Sequence, residues 1–95
     1  MSIIVIINFA VKQDKQTEFA TLLDNVKTTL PQVNGCLGVE IFQNASTKQS
    51  YTLIERWQTQ ELHQAHLDRL SADGTWDIIA AHLSQQPSSD YFIQR

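Results

Sequence analysis

Ninety-five residues make one domain, and a chain this short buries only about two-thirds of its extended surface, so its own core is modest and a partner subunit would add to it. At 42% hydrophobic and 18% charged, with three Gly and two Pro, the composition speaks against disorder. The net charge of -3 sits on singly scattered side chains with no basic run, which speaks against nucleic acid and anionic lipid as partners, and the lone Cys36 allows neither an internal disulfide nor a Cys-based zinc site.

Ser2 to Val11 is rich in Ile and Val and is expected to be a strand apolar on both faces, broken only by Asn8. Its apolar run, Ile3 to Ile7, follows no Lys or Arg and precedes no small-residue cleavage site. It is read neither as a signal peptide nor as a membrane span, and the chain is expected to be cytoplasmic.

Asp14 to about Leu30 is expected to be helical. Phe19, Leu22, Leu23, Val26 and Leu30 give one apolar stripe, with Asp14 as N-cap or as a negative charge near the positive helix end. Pro31 stops this helix, and Asn34-Gly35 supplies a turn tolerant of positive φ.

Cys36 to Asn44 and Ser50 to Gln58 are expected to be strands of a hairpin across the polar loop Ala45 to Gln49. Of the two parities available, one places Glu40 beside Glu55. The other places Glu40 on a face with Arg56 and aligns Leu37, Val39 and Ile41 with Tyr51, Leu53 and Trp57. The second is preferred because it joins opposite charges and gathers the apolar side chains.

Thr59 is expected to cap the next helix, with Glu61 in its first turn and Leu62, Ala65, His66, Arg69 and Leu70 on one face. Ala72 to Gly74 interrupts it. Trp76, Ile79, Ala80 and Leu83 form a further helical stripe, Pro87 ends it, and Asp90 to Gln94 reads as a short last strand. The order β-α-β-β-α-β is the split βαβ arrangement of a ferredoxin-like α+β fold with a four-stranded antiparallel sheet. Helices cover one sheet face. A first strand apolar on both sides points to a second copy over the other, hence a homodimer.

Three Gly, at 35, 38 and 74, make neither a dinucleotide fingerprint nor a phosphate loop, and no nucleophile elbow occurs. His63 and His66 stand at i, i+3, a spacing that can share a metal. However, Leu62, His66 and Leu70 mark the inward face and leave His63 near its edge, so no metal site is expected.

The stretch Glu55 to Leu67 carries more information. A strand ends in Glu-x-Trp, a cap follows, and a helix places His66 nine residues after Trp57. With Asn34-Gly35-Cys36-Leu37-Gly38 opening the second strand, this resembles the antibiotic biosynthesis monooxygenase family across nearly the whole chain. The resemblance implies a dimeric α+β barrel, with two ferredoxin-like subunits packed sheet to sheet. It further implies oxidation of quinol-like or polyketide-type aromatics by O2, often with no metal or organic cofactor, so none is expected beyond O2 as co-substrate. A dimeric domain that binds a small molecule without chemistry is the alternative, and a haem-binding relative a third.

Within that reading His66 is the first candidate, as base or hydrogen-bond donor, against the alternative of a core-edge His bonded to a backbone carbonyl. Asn8 is the second. A lone amide in an apolar strand must be bonded, either to substrate or to a neighbouring loop. Trp57 and Trp76 either wall the substrate pocket or pack in the core. Haem-degrading relatives carry an Asn that Asn8 matches, followed by a Trp and a His. Here His66 stands where their Trp would be and Trp76 falls near their His, which argues against haem breakdown. Arg56 and Glu40 are expected to pair on a sheet face, within the chain or at the dimer interface.

Overall fold

The computed structural model describes residues 2–95, with strands β1 (Ile3–Ala10), β2 (Cys36–Gln43), β3 (Ser50–Trp57) and β4 (Ser88–Phe92) and helices α1 (Gln16–Thr29), α2 (Gln60–Ala72) and α3 (Thr75–Ala81). The strands form one antiparallel sheet in the order β2-β3-β1-β4, which is the ferredoxin-like α+β fold. Among the described residues no helix is long and apolar enough to cross a membrane.

Side chains alternate across a strand. On β1 and β3, Val5, Phe9, Tyr51, Leu53, Glu55 and Trp57 are therefore buried beneath the helices. Phe19 of α1 is the hub. Its ring lies 5.5 Å from that of Phe9 and 5.5 Å from that of Tyr51, with Leu23, Val11 and Leu83 packed around it. A second cluster joins Val5, Leu30 and Trp57.

The opposite sheet face carries no helix. Ile4 pairs across it with Arg56 and Phe92, and Ile6 with Ile54 and Asp90. Phe42 and Phe92, on the same face, are 48% and 44% exposed.

The preferred hairpin parity is the one observed, with Ile41 opposite Leu53 and Glu40 opposite Ile54. A bulge between Cys36 and Gly38 changes its start. It sets Cys36, not Leu37, opposite Trp57, and Leu37 is left half-exposed, since the extra residue of a bulge has no partner. Within the chain the expected Glu40–Arg56 pair does not form. Arg56 donates instead to the Ser2 hydroxyl at 3.0 Å.

Asp14 is not the N-cap of α1. It lies in a single 3-10 turn, Gln13–Lys15, that leads into the helix, and the cap residue is Lys15. Pro31 likewise sits inside a 3-10 turn, Leu30–Gln32, where its fixed φ is accommodated, rather than ending the chain's helical course outright. β4 begins two residues earlier than the alternation around Tyr91 suggests.

Thr59 caps α2 as expected, its hydroxyl accepting the Leu62 N–H at 3.1 Å. The helix is nevertheless rotated by about one residue from the expected face. His63 is buried, and His66, Leu67 and Leu70 complete its inner arc. The cause lies at Gly35, where φ is +91° and an added Cβ would stand 2.7 Å from the Leu62 Cβ. Leu62 packs onto the glycine backbone at the start of β2, and this turns His63 toward the sheet.

Candidate active site

The helices stand off the sheet far enough to leave a cavity of about 610 Å3. Ile7, Phe9, Leu53 and Glu55 form its floor. Leu22 and Val26 of α1, Leu30 of the 3-10 turn after it, His63, His66, Leu67 and Leu70 of α2, and Trp76 and Ile79 of α3 form its walls. The lining is mainly aliphatic and aromatic, with a carboxylate and two imidazoles where β3 faces α2. This is the usual build of a small-molecule site, an apolar volume with a few converging polar groups.

The polar cluster is tied together by short contacts. Trp57 Nε1–H donates to Glu55 Oε1 at 2.9 Å. His63 Nδ1 lies 2.7 Å from the Tyr91 hydroxyl, and its Nε2 lies 3.9 Å from Glu55 Oε1. The Trp57 ring backs both imidazoles, with centroids 5.2 Å from His63 and 5.3 Å from His66.

Burial governs the protonation of this cluster. Desolvation pushes the Glu55 carboxyl up against the opposing effect of the Trp57 N–H. Desolvation, with the nearby His66, pushes His63 down to about 4. His66 is lowered chiefly by burial and secondarily by Arg69, while Asp73 opposes the shift. Burial, and then the Glu55 charge, raises Tyr91. Both imidazoles are therefore neutral at pH 7, so the contact between His63 and Glu55 is not an ion pair there. A neutral imidazole can accept a proton.

The four expected site residues are not brought together. His66 and Trp76 line the cavity. Trp57 does not; it is wholly buried beneath the two His rings and supports the wall. Asn8 lies across the sheet from the cavity, because strand alternation sends Ile7 and Phe9 inward and Asn8 outward. There its Oδ1 accepts the Thr52 hydroxyl at 2.7 Å. The need to bond a lone strand amide is met by Thr52, opposite it in the ladder.

Glu55 and His63 also line the cavity and are additional candidates. Glu55 had a sequence signal, since the preferred parity already sets it between Leu53 and Trp57 on the apolar face. His63 had none, because its inward turn depends on the Leu62–Gly35 contact. Among the described residues no group of three or more His, Cys, Asp or Glu is placed to hold a metal ion.

A ferredoxin-like sheet with an apolar, imidazole-bearing cavity under its helices defines an α+β protein with a candidate small-molecule site. Residues 2–72 match the antibiotic biosynthesis monooxygenase family, and the chain belongs to that family. The fold is shared with a conserved protein from Methanosarcina mazei Go1, at 17% identity, TM-score 0.86, and coverage of 100% of this chain and 94% of that one. It is shared with Rv0793 from Mycobacterium tuberculosis, at 17% identity, TM-score 0.84, and coverage of 100% and 96%. SnoaB from Streptomyces nogalater, described as a cofactor-independent oxygenase, is similar at 14% identity, TM-score 0.82, and coverage of 99% and 93%. No curated protein matches the sequence.

Proposed function

We propose that the protein is a cofactor-independent monooxygenase that oxidises a small quinol-like or polyketide-type aromatic with O2. The observation that carries this reading is the apolar cavity with neutral imidazole and buried carboxylate on its wall, in a chain of this family. Its volume, about 610 Å3, is ample for a two- or three-ring aromatic. The description of SnoaB as cofactor-independent supports the cofactor-free form of the reaction.

The chemistry asks little of the protein. An electron-rich phenol or anthrone becomes a far better reductant of O2 once deprotonated. His66 accepts that proton, and Trp76 packs on the ring. In an anthrone the methylene carbon then becomes a carbonyl. One oxygen atom stays on carbon and the other leaves as water with the two hydrogens. The dry walls prevent bulk water from stabilising the anion in place of the protein's own groups.

A second copy of the chain covers the helix-free face in this proposal. Ile4, Ile6, Phe42, Ile54 and Phe92 make that face too apolar to be left wet.

The test is O2 uptake above the autoxidation blank with reduced naphthoquinones and anthrones. Enzyme-dependent uptake that falls at least tenfold in His66→Ala supports the reading. Tight binding of these compounds without O2 uptake would replace it with a binding domain.

A further inference from the structure

The mechanism above leaves a buried carboxylate, a buried imidazole and a tyrosine unused. They are arranged in line. Glu55 and His63 line the cavity, whereas Tyr91 does not. It stands on the edge strand β4, partly open to solvent. His63 lies between them, with Nε2 toward Glu55 at 3.9 Å and Nδ1 on the Tyr91 hydroxyl at 2.7 Å. Both ring nitrogens of one buried His thus face groups that exchange protons, one on the cavity side and one on the solvent side.

We propose that Glu55, His63 and Tyr91 form a proton relay between the substrate cavity and solvent at the β4 edge. In the resting state Glu55 is a carboxylate. His63 carries its proton on Nε2, facing Glu55, and its Nδ1 accepts the Tyr91 O–H. When Glu55 takes up a proton from solvent, water gives one to the Tyr91 oxygen, the Tyr91 proton passes to Nδ1, and the Nε2 proton passes to the carboxyl. No electrons change hands in this step. His63 is then the other tautomer, with Nε2 accepting and Nδ1–H donating to Tyr91.

Release is the same three moves in reverse. The Glu55 proton passes to Nε2, the Nδ1 proton passes to the Tyr91 oxygen, and the tyrosine proton leaves to water. One proton passes from Glu55, on the cavity wall, to solvent and the resting tautomer returns. The 3.9 Å separation is longer than a hydrogen bond, and rotation about the soft terminal torsion of Glu55 is the motion that closes it. Trp57 Nε1–H holds the carboxyl within that range.

The environment suits a tautomer switch rather than an imidazolium. His63 is 3% exposed and is held neutral down to about pH 4, while the Glu55 carboxyl is raised by burial. The titratable groups facing the relay are His66 from α2 beside His63, and Cys36 from β2, whose thiol the Glu55 charge helps to raise. Neither supplies a positive charge at pH 7, so burial and the Trp57 N–H govern the proton on Glu55.

The relay rests on the monooxygenase reading only for the identity of the molecule in the cavity beside Glu55, so its test begins on the unliganded protein. Long-range 1H–15N spectra of 15N-His-labelled protein between pH 5 and 9 report which nitrogen of His63 is protonated. The expected result is an Nε2–H tautomer at high pH that converts to Nδ1–H as Glu55 takes up its proton, and no conversion in Glu55→Gln. A single tautomer across the range in the wild type, or a conversion that persists in Glu55→Gln, overturns the relay. The wild-type titration decides even where a variant fails to fold. On a turned-over quinol, Tyr91→Phe is expected to lower kcat at least tenfold with KM within twofold and to flatten the pH profile; unchanged kcat overturns the relay. A tautomer switch without O2 uptake by the wild type upholds the relay and sinks the monooxygenase reading, and uptake without the switch does the reverse.

Discussion

His63 and His66 stand less than one helical turn apart, yet their surroundings give them different work. His66 lines the cavity beside Trp57, whereas His63, on the same wall, is held between Glu55 and Tyr91. The lowered value of His63 ties stability to pH. In the fold it stays neutral to about 4, whereas an unfolded His titrates near 6.5. Its contribution is therefore complete above pH 6.5 and is lost as pH falls from there to about 4, with a slope of at most about 1.4 kcal/mol per unit. The raised Glu55 works in the opposite sense, favouring the fold as its carboxyl is protonated. Urea titrations at pH 7 and pH 4.5 should show the wild type losing more stability on acidification than His63→Phe, since both retain Glu55. An equal loss would mean that His63 titrates normally. For turnover, His66→Ala should cost at least tenfold, and Asn8→Ala, on the other side of the sheet, should stay within about twofold. O2 uptake measured on the same quinol checks both.

At the scale of elements, the strand and helix order follows from hydrophobic period and turn chemistry, and Thr59 caps α2 where a hydroxyl before Gln60-Glu61 predicts it. The rotation of α2 does not follow from its own periodicity. Leu62, His66 and Leu70 make as good a stripe as His63, His66, Leu67 and Leu70, and a helix alone has no means of choosing between them. The choice comes from Gly35, whose missing side chain admits Leu62. Gly35→Ala should therefore destabilise the protein by more than about 1 kcal/mol, from positive φ and from the clash together. It should also turn α2 and weaken the His63–Tyr91 bond. Chemical denaturation measures the first effect and the His63 imidazole shifts the second. An unperturbed variant would show that some other contact sets the phase.

At the scale of the molecule, one sheet face is sealed by three helices and the other is bare. Phe42 and Phe92 at 48% and 44% exposure flank a line of isoleucines on the bare face. Light scattering at micromolar concentration should return twice the 10.8 kDa chain mass, and replacing Ile6 with Asp should halve it. A monomer mass for the wild type would remove the second copy from the proposal.

What the sequence determined by itself is whatever depends on local order. Strand alternation, the apolar stripe of α1, the Thr59 cap and the hairpin parity each need only neighbouring residues and their periods. Even the burial of Glu55 was implicit in that parity. The tertiary structure decided everything that depends on the phase between elements. The bulge that frees Leu37, the outward face of Asn8 relative to the cavity and the inward turn of His63 each arise where two elements meet. At such a junction one residue's shift moves a side chain to the opposite face of a strand or by about 100° around a helix. Packing across the junction settles it, because only one phase fills the space between sheet and helix without a clash.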